Sequence, residues 1–222
     1  LVVCKLIVTN HFFDMNINVD DKLSKMAAIA PGVTGQTGIE TSDYVKGVVG
    51  VLKPDLVILV DALCSSSIEN VNKSIQVTDN GIFPGSGIGN KRKEISKETL
   101  NTKVISVGIP TVIDASTIVS DTINYMVKNY AYNKNHINDK SNKFIKGSVN
   151  YLNKETEITP ADRKNFLGLV GALSDNEIKK LLYEVLTPIG YNLMVTPKEV
   201  DFILSKLSDV ISYGINHSIH NI

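Results

Sequence analysis

The sequence predicts an α/β protein of three layers, a mostly parallel sheet flanked by helices, with further helices at the C-terminus. Three observations point to it. Leu56-Val57-Ile58-Leu59-Val60 is an unbroken apolar, β-favouring run, the pattern of a strand covered on both faces. Val104-Ile105-Ser106-Val107-Gly108-Ile109 is a second such run, closed by Pro110. Both are bordered by residues at helical spacing, and strands that alternate with helices imply a sheet between helical layers.

Leu1 to Val8 suits either a strand or the remainder of a helix, because Val3, Leu6, Ile7 and Val8 do not separate the two periods. From His11 to Asp21 the chain is polar and acidic, and a short apolar run from Met26 to Ala30 ends at Pro31-Gly32. Thr41, Ser42 or Asp43 is placed to cap a helix with Tyr44, Val45, Val48, Val49 and Leu52 near one face, and Lys53-Pro54 stops it. After the second strand, Val119, Ile123, Met126, Val127 and Tyr130 follow a helical period. Residues 131–158 read as a variable surface excursion: eight of the fifteen residues from Tyr132 to Lys146 are Asn or Lys, without apolar periodicity. Three capping boxes then announce helices: Thr159-Pro160-Ala161-Asp162, Ser174-Asp175-Asn176-Glu177 and Thr196-Pro197-Lys198-Glu199. The middle helix carries Ile178, Leu181, Leu182, Val185 and Leu186 on one stripe, and the last carries Val200, Ile203, Leu204, Leu207, Val210, Ile211 and Ile215.

A chain of 222 residues, 43% of them hydrophobic, buries a substantial core, and residues 1–222 read as one α/β domain. Its first residues look like the middle of an element, without initiator methionine or signal peptide, so the domain is expected to be truncated at its N-terminus. Equal numbers of basic and acidic side chains, 23 each, give no general pull towards nucleic acid or an anionic membrane, and neither is expected as a partner. The apolar runs fall far short of the roughly 20 residues that span a bilayer. Two cysteines, Cys4 and Cys64, are too few for a disulfide scaffold and favour a reducing, cytoplasmic location.

The carboxyl ends of strands in open α/β sheets are where ligands bind, and Asp61 directly follows Val60. An aspartate at the mouth of an apolar strand loses water, which raises its pKa and suits it to proton exchange; the alternative is a cap for the Ser65-Ser66-Ser67 turn. Asp114 follows the second strand and reads first as the cap of the next helix. Two glycine-rich segments stand out, Pro31 to Glu40 and Asp79 to Glu94. The second carries Lys91, Arg92 and Lys93 and has the makings of a nest with a cationic rim, yet it matches neither nucleotide fingerprint. A solvated basic loop, or one that contacts acidic residues of a protein substrate, explains it better. His11, His136, His217 and His220 are scattered, the last two at what reads as a frayed end, and Cys64 reads as a small buried residue.

Long blocks of the chain resemble the germination protease family. They are Pro31-Gly32-Val33-Thr34-Gly35-Gln36-Thr37-Gly38-Ile39-Glu40-Thr41, Lys53-Pro54-Asp55-Leu56 through Val60-Asp61-Ala62-Leu63, Gly81-Ile82-Phe83-Pro84-Gly85-Ser86-Gly87-Ile88-Gly89-Asn90-Lys91-Arg92-Lys93-Glu94, Pro110-Thr111-Val112-Ile113-Asp114-Ala115, and Gly190-Tyr191-Asn192-Leu193-Met194-Val195-Thr196-Pro197-Lys198-Glu199-Val200-Asp201.

The resemblance implies an endopeptidase with a fold similar to the hydrogenase-maturation peptidases. It would start the degradation of small acid-soluble spore proteins in the germinating spore core, made as a zymogen and assembled as a homotetramer. Two aspartates would do the hydrolysis. Asp61 lies in the motif that holds the second; the first belongs to a segment expected ahead of Leu1, so this chain is expected either to be incompetent or to be part of a competent enzyme. The family cuts next to acidic residues, which makes Lys91, Arg92 and Lys93 the candidate substrate-binding residues. Phe83 stands where the family pattern has histidine. No cofactor is assigned, and the metal question stays open. The alternative reading is a non-catalytic relative that binds spore proteins or assembles without cutting.

Overall fold

The computed structural model describes residues 1–32, 34–85, 92–137, 156–186 and 193–222. Within the span read from sequence as one domain, the chain groups into two compact units. One comprises Leu1–Leu63, Ser74–Thr111 and Pro197–Ile222, the other Cys64–Lys73 and Val112–Thr196. The described helices are α1 (Asn10–Asp14), α2 (Thr34–Thr37), α3 (Thr41–Leu52), α4 (Lys97–Leu100), α5 (Ala115–Asn135), α6 (Pro160–Leu167), α7 (Asp175–Leu186) and α8 (Val200–Ile219). The strands are β1 (Leu56–Ser65), β2 (Gln76–Thr78), β3 (Lys103–Asp114) and β4 (Met194–Val195).

The α/β class holds, but the sheet is mixed rather than mostly parallel. Its order is β1-β3-β2, and β2 pairs antiparallel with β3 through Gln76↔Gly108, Val77↔Val107 and Thr78↔Ser106. β4 is also antiparallel to β3, with Ile113↔Val195 and Asp114↔Met194. Both added strands are only two or three residues long, too short for a hydrophobic pattern to announce them.

The two long strands overrun their expected ends, β1 by five residues past Val60 and β3 past Pro110 to Asp114. Pro110 lacks a ladder donor, and it falls between the residues of β3 that pair with β2 and those that pair with β4.

In the first unit, side chains alternate across the sheet. Val57 and Leu59 of β1 and Val104 of β3 pack with Val45 and Val49 of α3 and with Ile95 and Leu100. Ile58, Val107 and Ile109 pack on the opposite face with Leu204, Leu207, Ile211 and Ile215 of α8. The helix–sheet–helix layering follows from that alternation. Val210, which the sequence placed on the buried stripe of α8, is instead 60% exposed. The capping box expected before α8 gives way to a start at Val200 with Glu199 in the cap position.

A polar ladder on α8 fastens the N-terminal segment. Ser208, Ser212, Asn216 and His220 recur every four residues and are all buried. Lys5 Nζ donates to Ser208 Oγ at 2.7 Å and to Asp209 Oδ1 at 2.5 Å. Asn216 accepts from the Ile7 N–H and donates to the Lys5 carbonyl. His220 is 1% exposed, not frayed: its Nδ1 accepts from the Ser24 N–H at 3.0 Å, so Nε2 carries the proton and donates to the Ile7 carbonyl at 2.9 Å.

The second unit is built on α5, against which α6 and α7 pack. The boxes at Thr159/Asp162 and Ser174/Glu177 form as expected, with a proline at the start of α6. α5 continues to Asn135 and buries Ala131 completely, so the first residues of the 131–158 excursion are helix; residues 138–155 lie outside the described residues. Asp162 ties α6 to α5 through Lys134 Nζ at 2.8 Å. The Lys134 ammonium, then the Thr159 hydroxyl and N–H, push the Asp162 carboxyl down from its ordinary 3.8 to about 2. A depressed carboxyl stabilises the fold above its unfolded value and loses that contribution as pH falls through its folded value. Asp162→Asn should therefore lower the thermal midpoint at pH 5 to 7, and the gap from wild type should close towards pH 2. A gap that stays constant down to pH 2 would contradict this role.

Candidate active site

Asp61 is the sixth residue of β1, within the strand rather than at its mouth. Period-two alternation sets it in the row of Val57 and Leu59, on the sheet face that carries α3. It is half-buried. Its Oδ1 accepts one hydrogen bond, from the N–H of Ala62 at 2.8 Å. Burial pushes the carboxyl above its ordinary 3.8, the Ala62 N–H offsets part of the rise, and no charged neighbour among the described residues contributes. The capping alternative does not hold. The turn that follows is closed by Ser65 itself, whose Oγ donates to the Ser67 carbonyl at 2.6 Å.

Asp114 has the opposite fate. It caps α5, accepting from the Thr117 N–H at 2.8 Å, the Thr117 hydroxyl at 2.9 Å and the Ser116 hydroxyl. Burial pushes this carboxyl up, but the three donors outweigh it and hold it below 3.8. Asp114 is thus held by three donors of its helix, whereas Asp61 has one backbone donor and a carboxyl raised by burial. Cys64 is no competitor as a nucleophile, because burial and then the Asp114 carboxylate push its thiol up from 9.0 and disfavour the thiolate.

The two glycine-rich segments meet in the first unit. Ile82 and Ile95 exchange N–H···O bonds of 2.9 and 2.8 Å, pinching the second segment at its base. Gly81 makes this possible, since a Cβ there would sit 2.4 Å from the Ile95 carbonyl oxygen, a backbone atom that cannot swing away. Beyond the pinch, Arg92 Nη1 meets Glu40 Oε2 at 3.1 Å and Lys93 Nζ meets Asp43 at 2.8 Å. The Lys93 N–H also reaches Glu40 Oε1 at 3.4 Å. These contacts hold the basic segment against the first turn of α3. Glu40, not Thr41, Ser42 or Asp43, occupies the cap position of that helix. Lys91 lies outside the described residues.

Two of the three basic residues read from sequence are therefore brought together, and their partners Glu40 and Asp43 are what the sequence reading missed. The signal was available only as opposite charge in two segments of unusual glycine content. No hydrogen bond or ion pair among the described residues joins Asp61 to Arg92 or Lys93. Phe83 is 51% exposed and so is not a core residue. Among the described residues, no three or more His, Cys, Asp or Glu gather to hold a metal, and no helix is long and apolar enough to cross a membrane.

A family model described as germination protease matches residues 1–222. Curated germination proteases align with the chain along almost its whole length. The chain is 49% identical to that of Oceanobacillus iheyensis and 47% identical to that of Bacillus licheniformis, in each case over 99% of its residues and 61% of the relative's. It is 47% identical to the protease of Bacillus cereus strain AH187, covering 62% of that protein. The chain thus spans about three fifths of the length of the curated relatives it matches.

Proposed function

Because the chain belongs to the germination protease family, a family of peptidases, we propose that the protein is an endopeptidase in which the Asp61 carboxyl is one of two hydrolytic acids. The observation that carries this reading is a half-buried carboxyl on a core strand, raised by loss of water and bound by one backbone donor. Its partner acid belongs, by resemblance, to a segment ahead of Leu1. One carboxylate takes a proton from water as the oxygen attacks the peptide carbonyl; the other, protonated, polarises that carbonyl and then protonates the departing nitrogen as the C–N bond breaks. Where two such acids lie close, the midpoint of each also reflects the charge of the other.

The substrates are small acid-soluble spore proteins, cut next to acidic residues in the germinating spore core. The protein is made as a zymogen and works as a homotetramer. Substrate carboxylates are taken by Lys91, Arg92 and Lys93. Arg92 and Lys93 already hold Glu40 and Asp43; the Lys93–Asp43 pair is exposed and exchanges partners at little net cost, so a substrate carboxylate displaces Asp43 more readily than Glu40, whose pair with Arg92 is part-buried. Charge reversal at Arg92 or Lys93 in the complete protein should raise KM more for peptides with an acidic cleavage site than for neutral-site peptides, whose loss reports only the broken contacts to Glu40 and Asp43. Equal losses on both peptides would show that these residues hold the loop and not the substrate.

A further inference from the structure

We propose that Gly108 is a positioning residue for Asp61: its missing side chain admits Leu63 across β3, and Leu63 shields the Asp61 carboxyl and fixes its place on the strand. Asp61 and Leu63 are two residues apart on β1, so their side chains leave the same face of the sheet about 6.6 Å apart along the strand. β3 is the neighbour of β1 in the sheet. A Cβ built on Gly108 would lie 2.2 Å from Leu63 Cδ1 and 2.7 Å from its Cγ, so the leucine occupies the volume that any other residue at 108 would fill.

Gly108 has no left-handed backbone to explain it, since the glycines with positive φ among the described residues are Gly32, Gly38, Gly85 and Gly168. The requirement is space. The obstructing atoms at Gly81 are mostly backbone, whereas at Gly108 they are the far end of a flexible side chain. A residue larger than glycine at 108 therefore moves Leu63 rather than the sheet. With Leu63 displaced, one apolar wall beside Asp61 is lost and water reaches the carboxyl.

This inference rests on the reading of Asp61 as a hydrolytic acid, and its test separates the two. Gly108→Ala, Leu63→Ala and the double variant are prepared in the complete protein. The Asp61 carboxyl is followed by 13C NMR across pH, alongside the pH profile of kcat/KM. Gly108→Ala and Leu63→Ala should each move the Asp61 midpoint down towards the ordinary carboxylate range. The double variant should move it no further than Leu63→Ala alone, because Gly108 acts through Leu63. In step, kcat/KM should fall on the order of tenfold to a hundredfold in the single variants, as expected for a displaced reacting group. An Asp61 midpoint unchanged by Gly108→Ala, or one that Gly108→Ala shifts equally when Leu63 is already alanine, overturns the proposal. Midpoints that move as described while the rate profile does not follow would leave the positioning role intact and remove Asp61 from the chemistry.

Discussion

Asp61→Asn in the complete protein is expected to lower kcat/KM for peptide cleavage by about a hundredfold to ten-thousandfold, the range general acid–base groups contribute. The substitution preserves shape, and the amide oxygen of asparagine still accepts the Ala62 N–H that the carboxylate accepts now. The fold should therefore survive while the proton-transferring group is removed. Asp114→Asn is the control. Its carboxylate serves the first turn of α5 through Thr117 and Ser116, so that variant should lose stability and keep its rate per folded molecule. Undiminished cleavage by Asp61→Asn would remove Asp61 from the mechanism.

The largest expected effect on stability is at His220. Replacement by alanine removes the two hydrogen bonds by which the imidazole holds Ser24 and Ile7 and leaves a void where the buried ring stood. Two hydrogen bonds at a net ~0.5–1.5 kcal/mol each, together with the void, put the expected loss at about 2–4 kcal/mol by urea unfolding. His220→Gln, able in principle to accept at one end and donate at the other, should recover part of it. A loss within about 0.5 kcal/mol, the range of ordinary surface changes, would mean that the ladder on α8 does not fasten the N-terminal segment.

What was legible in the sequence follows the reach of the signals. The starts of β1 and β3 and the helices α3, α5, α6 and α7 were visible because propensity, period and capping act within a few residues. The strand ends were misplaced where a single residue, Asp61 or Pro110, looks like a terminator locally but is tolerated by its neighbours in the sheet. β2 and β4 carried no pattern long enough to read. The loss of water at Asp61 was legible from the apolar run before it, but its place was not: it lies within β1 and not at the mouth of the strand. Glu40, Asp43, His220 and the Leu63–Gly108 fit depend on segments far apart in the chain, about which local sequence is silent.

The proposed hydrolysis turns on the proton affinity of one carboxyl, and the direct measurement is its titration by 13C NMR in the complete wild-type protein, set beside the pH dependence of kcat/KM. A midpoint above the ordinary 3.8 that coincides with a limb of the rate profile is the predicted result. A midpoint at or below that value, or a rate profile with no limb at the Asp61 midpoint, would contradict it.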